Sequence, residues 1–506
     1  MTFQNLLDGA EVLAQSGNPE VSGVEHDSRR VKPGFAFVAM RGETSDGNRF
    51  IDRAIQAGAV AVVTDSSIEP QRTGVAWAVV AHGRRALARV SVNFYKRPAE
   101  KLAVIGITGT NGKSTTAFLI ESILHAAGRK SALIGTIEYH VAGRVEPAPH
   151  TTPEALELAR IFSQALGEGA TEAVMEVSSH ALAQQRVFCV PFDVAVFTNL
   201  TRDHLDYHKT MDDYFAAKRI LFEGCGTDPP RAVVTNLDDE YGAKLAEFSR
   251  KRSSLVLTYG WDRGDFHAEN VDISPRGTRF DIVGSEGKIA IFSPLIGRVN
   301  VYNILAASAA CVARGCGVEV IARGVGLLTH VPGRFQRIDC GQPFTVVVDY
   351  AHTDDALRNL TGLAREFVTR TGPCSRVVTV FGCGGDRDRA KRPMMGEAAG
   401  RGSDFVVLTS DNPRSEDPLA IMNDAVVGLQ KTGVAYRVEV DRRKAIALAI
   451  REAQPGDLVL LAGKGHEKQQ VTRDGTIPFD DVEVAREALK AAGYECDAAP
   501  VAGIQA

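Results

Sequence analysis

Short uninterrupted apolar runs alternate along this chain with segments whose apolar residues recur every three or four positions, the pattern of buried strands interleaved with helices. Phe35–Ala39 and Ala59–Thr64 predict two short strands among Asp-Ser and Gly-rich turns, hence a small α/β unit at the N-terminal end. Lys96–Lys101, with Pro98 inside it, reads as a linker. Beyond it Leu102–Thr108 predicts a buried strand, closed by glycines and followed by a helix over Ser114–Ala127. Glu172–Val177, Val194–Thr198 and Arg231–Thr235 continue the alternation, which implies a mostly parallel sheet. A third series is Phe344–Asp349, Arg376–Phe381, Phe405–Thr409 and Asp457–Ala462. Each of these runs ends in a polar, Gly-rich or charged loop, where open α/β sheets place their ligands. The pattern divides the chain into three α/β domains, 1–98, 99–334 and 335–506, with only the tail after Gly493 loosely specified.

Length agrees with that division, since 506 residues make roughly three domains at about 150 residues each. With 44% hydrophobic and 24% charged residues, the composition excludes collagen-like, coiled-coil and wholly disordered classes. The 58 Lys and Arg nearly balance the 62 Asp and Glu, giving −4, so no global charge draws the chain to nucleic acid or anionic membrane. Any anion must meet a local site. Eight cysteines form no Cys-x-x-Cys pair, which predicts reduced, metal-free thiols. Met1–Gly17 lacks the basic start of a signal peptide, and no apolar run is long enough to span a bilayer, so a cytoplasmic monomer is expected.

The densest chemistry lies at Thr108–Thr115, Thr-Gly-Thr-Asn-Gly-Lys-Ser-Thr, between the predicted strand and helix. Small residues at Gly109, Thr110, Asn111 and Gly112 let backbone N–H groups surround phosphates at the positive end of a helix. Lys113 would reach the β- and γ-phosphates of ATP, and Ser114 and Thr115 would open the helix with Ser114 on Mg2+. Ile107 stands where the strict phosphate loop has glycine, so this is a shortened variant. The middle domain is thus expected to be a P-loop domain with a mostly parallel sheet, and the last a Rossmann-like domain. A Gly-rich turn with an exposed lysine is the plainer alternative, and the loop alone does not separate kinases, ATPases and ligases. Two further clusters follow strand ends, Met175–His180 and Thr198–His208. There Glu176 and His204 offer an oxygen and a nitrogen that could hold magnesium between ATP and an acceptor carboxylate, although either alone is more often a surface or capping residue.

Taken together, Thr-Gly-Thr-Asn-Gly-Lys-Ser, Glu-Val-Ser-Ser-His, Asn-Leu-Thr-Arg-Asp-His-Leu-Asp-Tyr-His and the Ala-Ala-Lys ending at Lys218 resemble the Mur ligases of peptidoglycan synthesis, from about Asp27 to Gly493. The resemblance implies three domains that bind, in order, a UDP-sugar, ATP and an incoming amino acid. It implies that Ser28, Glu43, Thr44 and Ser45 contact the uridine diphosphate end. Thr151, Thr152, Ser178, Gln184 and Arg186 would hold the muramoyl-dipeptide of UDP-N-acetylmuramoyl-L-Ala-D-Glu. Lys218 would be carbamylated and help to position magnesium, whereas a helical lysine is ordinarily just solvated. Asn300 and Asn303 would read adenine, Arg334 would steady the ATP phosphates and Asp349 would hold the ribose. His150, Val299, Gln336 and Asp354 depart from the family's usual Asn, His, Glu and Pro.

In the third domain, Asp411-Asn412-Pro413-Arg414 resembles the signature of members that add meso-2,6-diaminopimelate, whose extra carboxylate can receive a bidentate arginine. Arg387 supplies a second cation, and Gly463 and Glu467 would fix the distal ammonium. Loop salt bridges account equally for Arg387 alone. The implied activity is an ATP-dependent amide ligase working through an acyl phosphate on the D-Glu γ-carboxylate, with Lys113, Lys218, His204, Glu176 and Arg334 at the reacting groups. A lysine-adding ligase, a folylpolyglutamate synthetase and a nucleotide-gated binding module remain the alternatives.

Overall fold

The chain was analysed as a computed structural model that describes residues 1–43, 45–66, 74–274, 276–284, 287–371 and 374–496. Its N-terminal third forms β1 (Val12–Ser16), β2 (Gly23–Glu25), β3 (Phe35–Ala39), β4 (Ala61–Thr64) and β5 (Ala76–Val80). They lie in the order β1-β5-β4-β3-β2, parallel except at β1. The expected linker is a tight corner instead. Lys96 and Arg97 both adopt positive φ, and Pro98–Lys101 closes into a 3-10 turn that buries Ala99.

The middle sheet comprises β6 (Ala103–Thr108), β7 (Ser131–Ile134), β8 (Glu138–Val141), β9 (Arg144–Pro147), β10 (Glu172–Glu176), β11 (Val194–Phe197), β12 (Ala232–Asn236) and β13 (Leu255–Tyr259). Its order is β13-β12-β11-β6-β10-β7-β8-β9, parallel from β13 to β7 and finished by an antiparallel edge hairpin. The near-continuous apolar runs follow from burial on both faces. Ile105 and Ile107 pack towards the Lys113–Ala126 and Arg298–Ala313 helices, and Val104 towards Phe162, Tyr214 and Leu221. A separate antiparallel sheet, β14 (His267–Ser274), β15 (Gly277–Gly284) and β16 (Gly287–Ser293), extends the first of these cores through Phe280, Ile289 and Ile291.

The last sheet contains β17 (Gln336–Ile338), β18 (Thr345–Asp349), β19 (Val377–Cys383), β20 (Phe405–Ser410), β21 (Ala435–Glu439) and β22 (Leu458–Ala462), in the order β17-β18-β22-β19-β20-β21. All pairs are parallel except the edge pair β17–β18. A hairpin of β23 (Gln469–Thr472) and β24 (Gly475–Pro478) follows. One expectation fails here. The thiols are not all reduced, because Cys340, just after β17, is disulfide-bonded to Cys496 beyond the last helix, a pairing that their 156-residue separation hides from the sequence. Cys189, Cys225, Cys311, Cys316, Cys374 and Cys383 are free. No helix among the described residues is long and apolar enough to cross a membrane.

A half-buried cation ties the edge hairpin to the rest of the middle domain. His140 on β8 meets both carboxylate oxygens of Glu121 through Nδ1, at 2.8 and 2.9 Å, and Glu138 through Nε2 at 2.8 Å. Burial opposes its charge, but the two carboxylates outweigh that and raise its pKa to about 9. A raised pKa stabilises the fold fully below the unfolded imidazole's value and loses that contribution as pH rises through the folded one. The unfolding free energy of the wild type from urea titrations should therefore fall between pH 6.5 and about 9 by an amount on the order of 1–3 kcal/mol, and His140→Gln should be weaker at pH 6 and lack that part of the slope. Parallel pH profiles for the two proteins would refute this role.

Candidate active site

Because β6 lies between β10 and β11, the chain segments leaving three adjacent strands open side by side. Glu176 is in register with Ile107, and Phe197 with Thr108. The loop after β6 is gripped by the segment after β11. Thr110 N donates to Asn199 O at 2.9 Å and Asn111 N to Asn199 Oδ1 at 3.0 Å, while Thr198 Oγ1 donates to Asn111 O at 2.6 Å. This close approach requires glycine at 109, where φ is +149° and a Cβ would lie 1.9 Å from Thr198 Oγ1. Asn303 occupies the other side, its Oδ1 only 2.5 Å from where a Gly112 Cβ would be, and Asn300 Oδ1 accepts from Asn303 Nδ2 at 3.1 Å. Asn300 and Asn303, expected at adenine, lie buried beside the phosphate loop.

Two lysines converge on this loop. Lys113 Nζ donates to the carbonyls of Gly109 and Thr110 at 3.1 and 2.9 Å, and Lys218 Nζ to that of Gly109 at 2.9 Å. Lys218, on the Met211–Glu223 helix, is buried and lies 4.5 Å above the Tyr214 ring. Burial lowers the pKa of both, and Lys113 pushes Lys218 further down, to well below the ordinary lysine value. The nearby Asp203 is the counter-charge. Burial alone would raise its pKa, but His204, Lys391 and His352 together hold it below the usual carboxylate range. His204 sits at φ +53° and is held neutral by desolvation, with His180 and Lys218 adding repulsion that Asp203 only partly offsets. Its ring meets that of His180 edge-on at 4.8 Å.

Glu176 is almost fully buried, its Oε1 accepting from Thr136 N at 2.8 Å and its Oε2 from Thr136 Oγ1 at 2.9 Å. Thr136 also donates to Thr151 Oγ1 at 3.1 Å, which carries the cluster towards the predicted dipeptide residues. These are brought together. Arg186 donates to Gln184 Oε1 at 2.7 and 3.0 Å and to Thr152 O at 3.0 Å, and pairs with Glu154 at 3.0 Å. Thr152 Oγ1 accepts from Ser178 N, and Ser178 Oγ caps the short helix that follows. From the N-terminal domain, Glu43 accepts a hydrogen bond from Tyr207, so the expected uridine-side loop touches the middle domain. Ser28 is buried and Ser45 exposed, while Thr44 lies outside the described residues.

Arg334, at the end of the middle stretch, reaches the phosphate loop, donating to Ser114 Oγ at 3.3 Å with its guanidinium 4.7 Å from the centre of the Tyr350 ring. The departures from the family pattern find local partners. Gln336 Oε1 accepts from Gly333 N at 2.9 Å, the His150 carbonyl accepts from Tyr139, and Asp354 opens its helix with an i,i+4 pair to Arg358. Val299 is exposed. Asp349, expected at the ribose, is half-buried, and its oxygens accept from Phe335 N and Ala351 N at 2.7 and 2.8 Å.

At the far edge of the third sheet, Arg414 adopts φ +53° and donates from Nη1 to Gly385 O at 2.7 Å. Nε and Nη2 make no hydrogen bond among the described residues. Arg387 passes its Cγ beside the same Gly384 and donates from Nη1 to Asp386 O at 3.1 Å. Asn412 Nδ2 donates to Glu467 Oε2 at 2.8 Å, and Gly463, at φ +114°, passes beside Asp411. Lys391 was not singled out in the sequence, although its Nζ lies 2.6 Å from Asp203 Oδ1 across the two domains. Asn199 and Asp203 stand in the sequence only as members of the Asn-Leu-Thr-Arg-Asp-His motif, Lys464 only as a neighbour of Gly463, and Thr136 carries no signal at all.

Comparison with known proteins places these residues in a family. The Mur ligase family catalytic domain matches residues 20–95, the Mur ligase middle domain 107–311, and the Mur ligase glutamate ligase domain 333–465. A protein of Solibacter usitatus named UDP-N-acetylmuramoyl-L-alanyl-D-glutamate–2,6-diaminopimelate ligase is 56% identical over 96% of both chains. One of the same name from Geobacillus thermodenitrificans is 45% identical over 94% of this chain and 96% of its own. A solved structure bearing that ligase's name superposes with a TM-score of 0.66 at 34% identity, covering 94% of this chain and 96% of that one. Folylpolyglutamate synthase of Mycobacterium tuberculosis, complexed with ADP and AMPPCP, shares the fold at 18% identity and a TM-score of 0.61, over 82% of this chain and 96% of its own. With all three family models in chain order and such identity along nearly the whole length, the chain belongs to the Mur ligase family.

Proposed function

We propose that this ATP-dependent ligase joins meso-2,6-diaminopimelate to the D-Glu γ-carboxylate of UDP-N-acetylmuramoyl-L-Ala-D-Glu, as a cytoplasmic monomer. The observation that carries the reading is the meeting of two strand-end faces, with Arg334 on Ser114 of the phosphate loop and Lys391 on Asp203. We assign residues 1–98 to the UDP-sugar, 99–334 to ATP and 335–506 to the amino acid. A γ-carboxylate oxygen attacks the γ-phosphorus of ATP and ADP departs. The amine then attacks the acyl carbon, the C–N bond forms, the C–O bond breaks, and phosphate leaves with the electrons while the amine loses a proton. Lys113 and Arg334 supply fixed positive charge to the transferring group, and buried surroundings keep water from the acyl phosphate. Arg186, Gln184, Thr151, Thr152 and Ser178 orient the dipeptide.

The donors present suit magnesium only in part. Glu176 gives a carboxylate, His204 a neutral imidazole and Ser114 a hydroxyl, but no three His, Cys, Asp or Glu among the described residues gather closely enough to hold a metal alone. ATP oxygens, water and a carbamylated Lys218 would have to supply the remaining oxygens. A bound ion would neutralise the phosphates and draw the acceptor carboxylate to them. Lys218 is poised for that modification because its depressed pKa supplies the neutral amine that attacks carbon dioxide, forming N–C and releasing one proton to solvent.

Three outcomes test this reading. Phosphate release from ATP with the UDP-muramoyl-dipeptide should require meso-diaminopimelate and yield the tripeptide by mass, with L-lysine giving less than about a hundredth of that rate. Equal turnover with lysine would overturn the substrate choice. Arg414→Ala should raise the KM for diaminopimelate by about 10-fold or more, the loss of a charge-assisted carboxylate contact; an unchanged KM would remove Arg414 from the site. Under 13C-labelled carbon dioxide, a carbamate resonance should grow as pH rises and free amine accumulates, and vanish in Lys218→Ala. Its absence from the wild type would leave Lys218 unmodified.

A further inference from the structure

The third-sheet cluster contains a lysine that cannot touch a ligand. Lys464 is fully buried, yet its ammonium lies 3.4 Å from Asp411 Oδ1, 3.1 Å from Asn412 Oδ1 and 3.3 Å from Glu467 Oε2. Three acceptors thus meet the three N–H bonds of one ammonium. The turn that aims it inward has glycine on both sides at positive φ, Gly463 at +114° and Gly465 at +55°. A Cβ on Gly465 would lie 2.8 Å from Gly333 O and from Tyr350 Cα, so the backbone is held in that bend. The lysine bridges the segments leaving β20 and β22, which carry Asp411 and Asn412 on one side and Glu467 on the other.

We infer that Lys464 is a positioning residue for amino-acid recognition: it pins Glu467 Oε2 and the Asn412 amide so that Glu467 Oε1 faces the distal ammonium of the incoming amino acid. This rests on the ligase reading above. Glu467 Oε2 is already used twice, by Lys464 and by Asn412 Nδ2, whereas Oε1 and Asp411 Oδ2 make no hydrogen bond among the described residues. Glu467 keeps a partly exposed side chain while Lys464 has none. Two neighbouring carboxylates would repel without the cation between them, and Glu467 would swing out towards water. Asn412 is oriented by the same contact, because its Oδ1 accepts from Lys464 and from Val471 N at 2.9 Å, leaving Nδ2 to grip Glu467. The distal zwitterion would then find its ammonium site at a fixed offset from Arg414 and Arg387.

Steady-state kinetics on Lys464→Met, Glu467→Gln and the double variant test this. Lys464→Met should raise the KM for meso-diaminopimelate about 10-fold or more while the KM values for ATP and the UDP-muramoyl-dipeptide stay within about 2-fold. Since Lys464 acts through Glu467, adding Lys464→Met to Glu467→Gln should cost less than about a further 3-fold. Asn412→Ala keeps all the charges, and should show the same selective rise if Lys464→Met does not fold. A KM for diaminopimelate within about 2-fold of wild type in the folded variant, a parallel rise in all three KM values, or independent effects in the double variant would overturn the role. Wild-type enzyme without diaminopimelate turnover would instead overturn the ligase reading on which it stands.

Discussion

Parallel pairing of β6 between β10 and β11 is the constraint from which the site follows. Strands buried on both faces cannot slip in register without exposing apolar residues or burying polar ones, so the ends of these three are fixed relative to one another. The consequences are all local: Gly109 must pass Thr198 too closely for any side chain, Asn199 holds two loop amides, and Glu176 is locked by Thr136 on the neighbouring β7 side. A phosphate loop shortened by the Ile107 substitution keeps its shape through this lateral bracing.

That bracing concentrates positive charge. Lys113, Lys218 and Arg334 surround one loop, and their mutual repulsion adds to desolvation in weakening the hold of the lysines on their protons. Only an anion relieves such an arrangement, and Asp203 and Glu176 supply just part of it. Of the three cations, Lys218 is the most deeply buried and the one that Lys113 repels most directly. Buried lysines held this way are poor structural elements but good receptors for a transferring phosphoryl group.

Much of this was legible in the sequence, and the reasons differ by element. The buried parallel strands were read within a residue or two, because double-sided burial writes continuous apolar runs: Leu102–Thr108 became Ala103–Thr108, and Phe405–Thr409 became Phe405–Ser410. The sheet of β14–β16 and the edge strands β9, β17 and β21 were missed, since half-exposed or edge strands mix polar residues such as Glu269, Arg279 and Lys288 into the pattern. Motif residues on the phosphate loop and around Arg186 and Arg414 came together as expected. Asp349 and the asparagines at 300 and 303 also make hydrogen bonds within the fold that the sequence does not show, because a polar side chain at a strand or helix end looks the same in sequence whatever it contacts. Lys391 and the Cys340–Cys496 pair depend on long-range proximity, to which spacing is blind.

Closure and chemistry are coupled through the same charges. Lys391 and Asp203 form their 2.6 Å contact with little exposure on either side, and Asn111 Nδ2 lies 3.2 Å from Asp355 Oδ2 across the same junction. Burying an ion pair costs desolvation that its attraction barely repays, so such a contact stabilises a closed arrangement only slightly. A marginal contact is what a ligase of this kind needs: tight closure would trap product, and none would admit water to the acyl phosphate. Closing also places Lys391 against the carboxylate that offsets Lys113 and Lys218, so docking of the third domain alters the charge balance at the phosphate loop. Lys391 of the third domain thus belongs to the same charge cluster as Asp203, Lys113 and Lys218 at the phosphate loop.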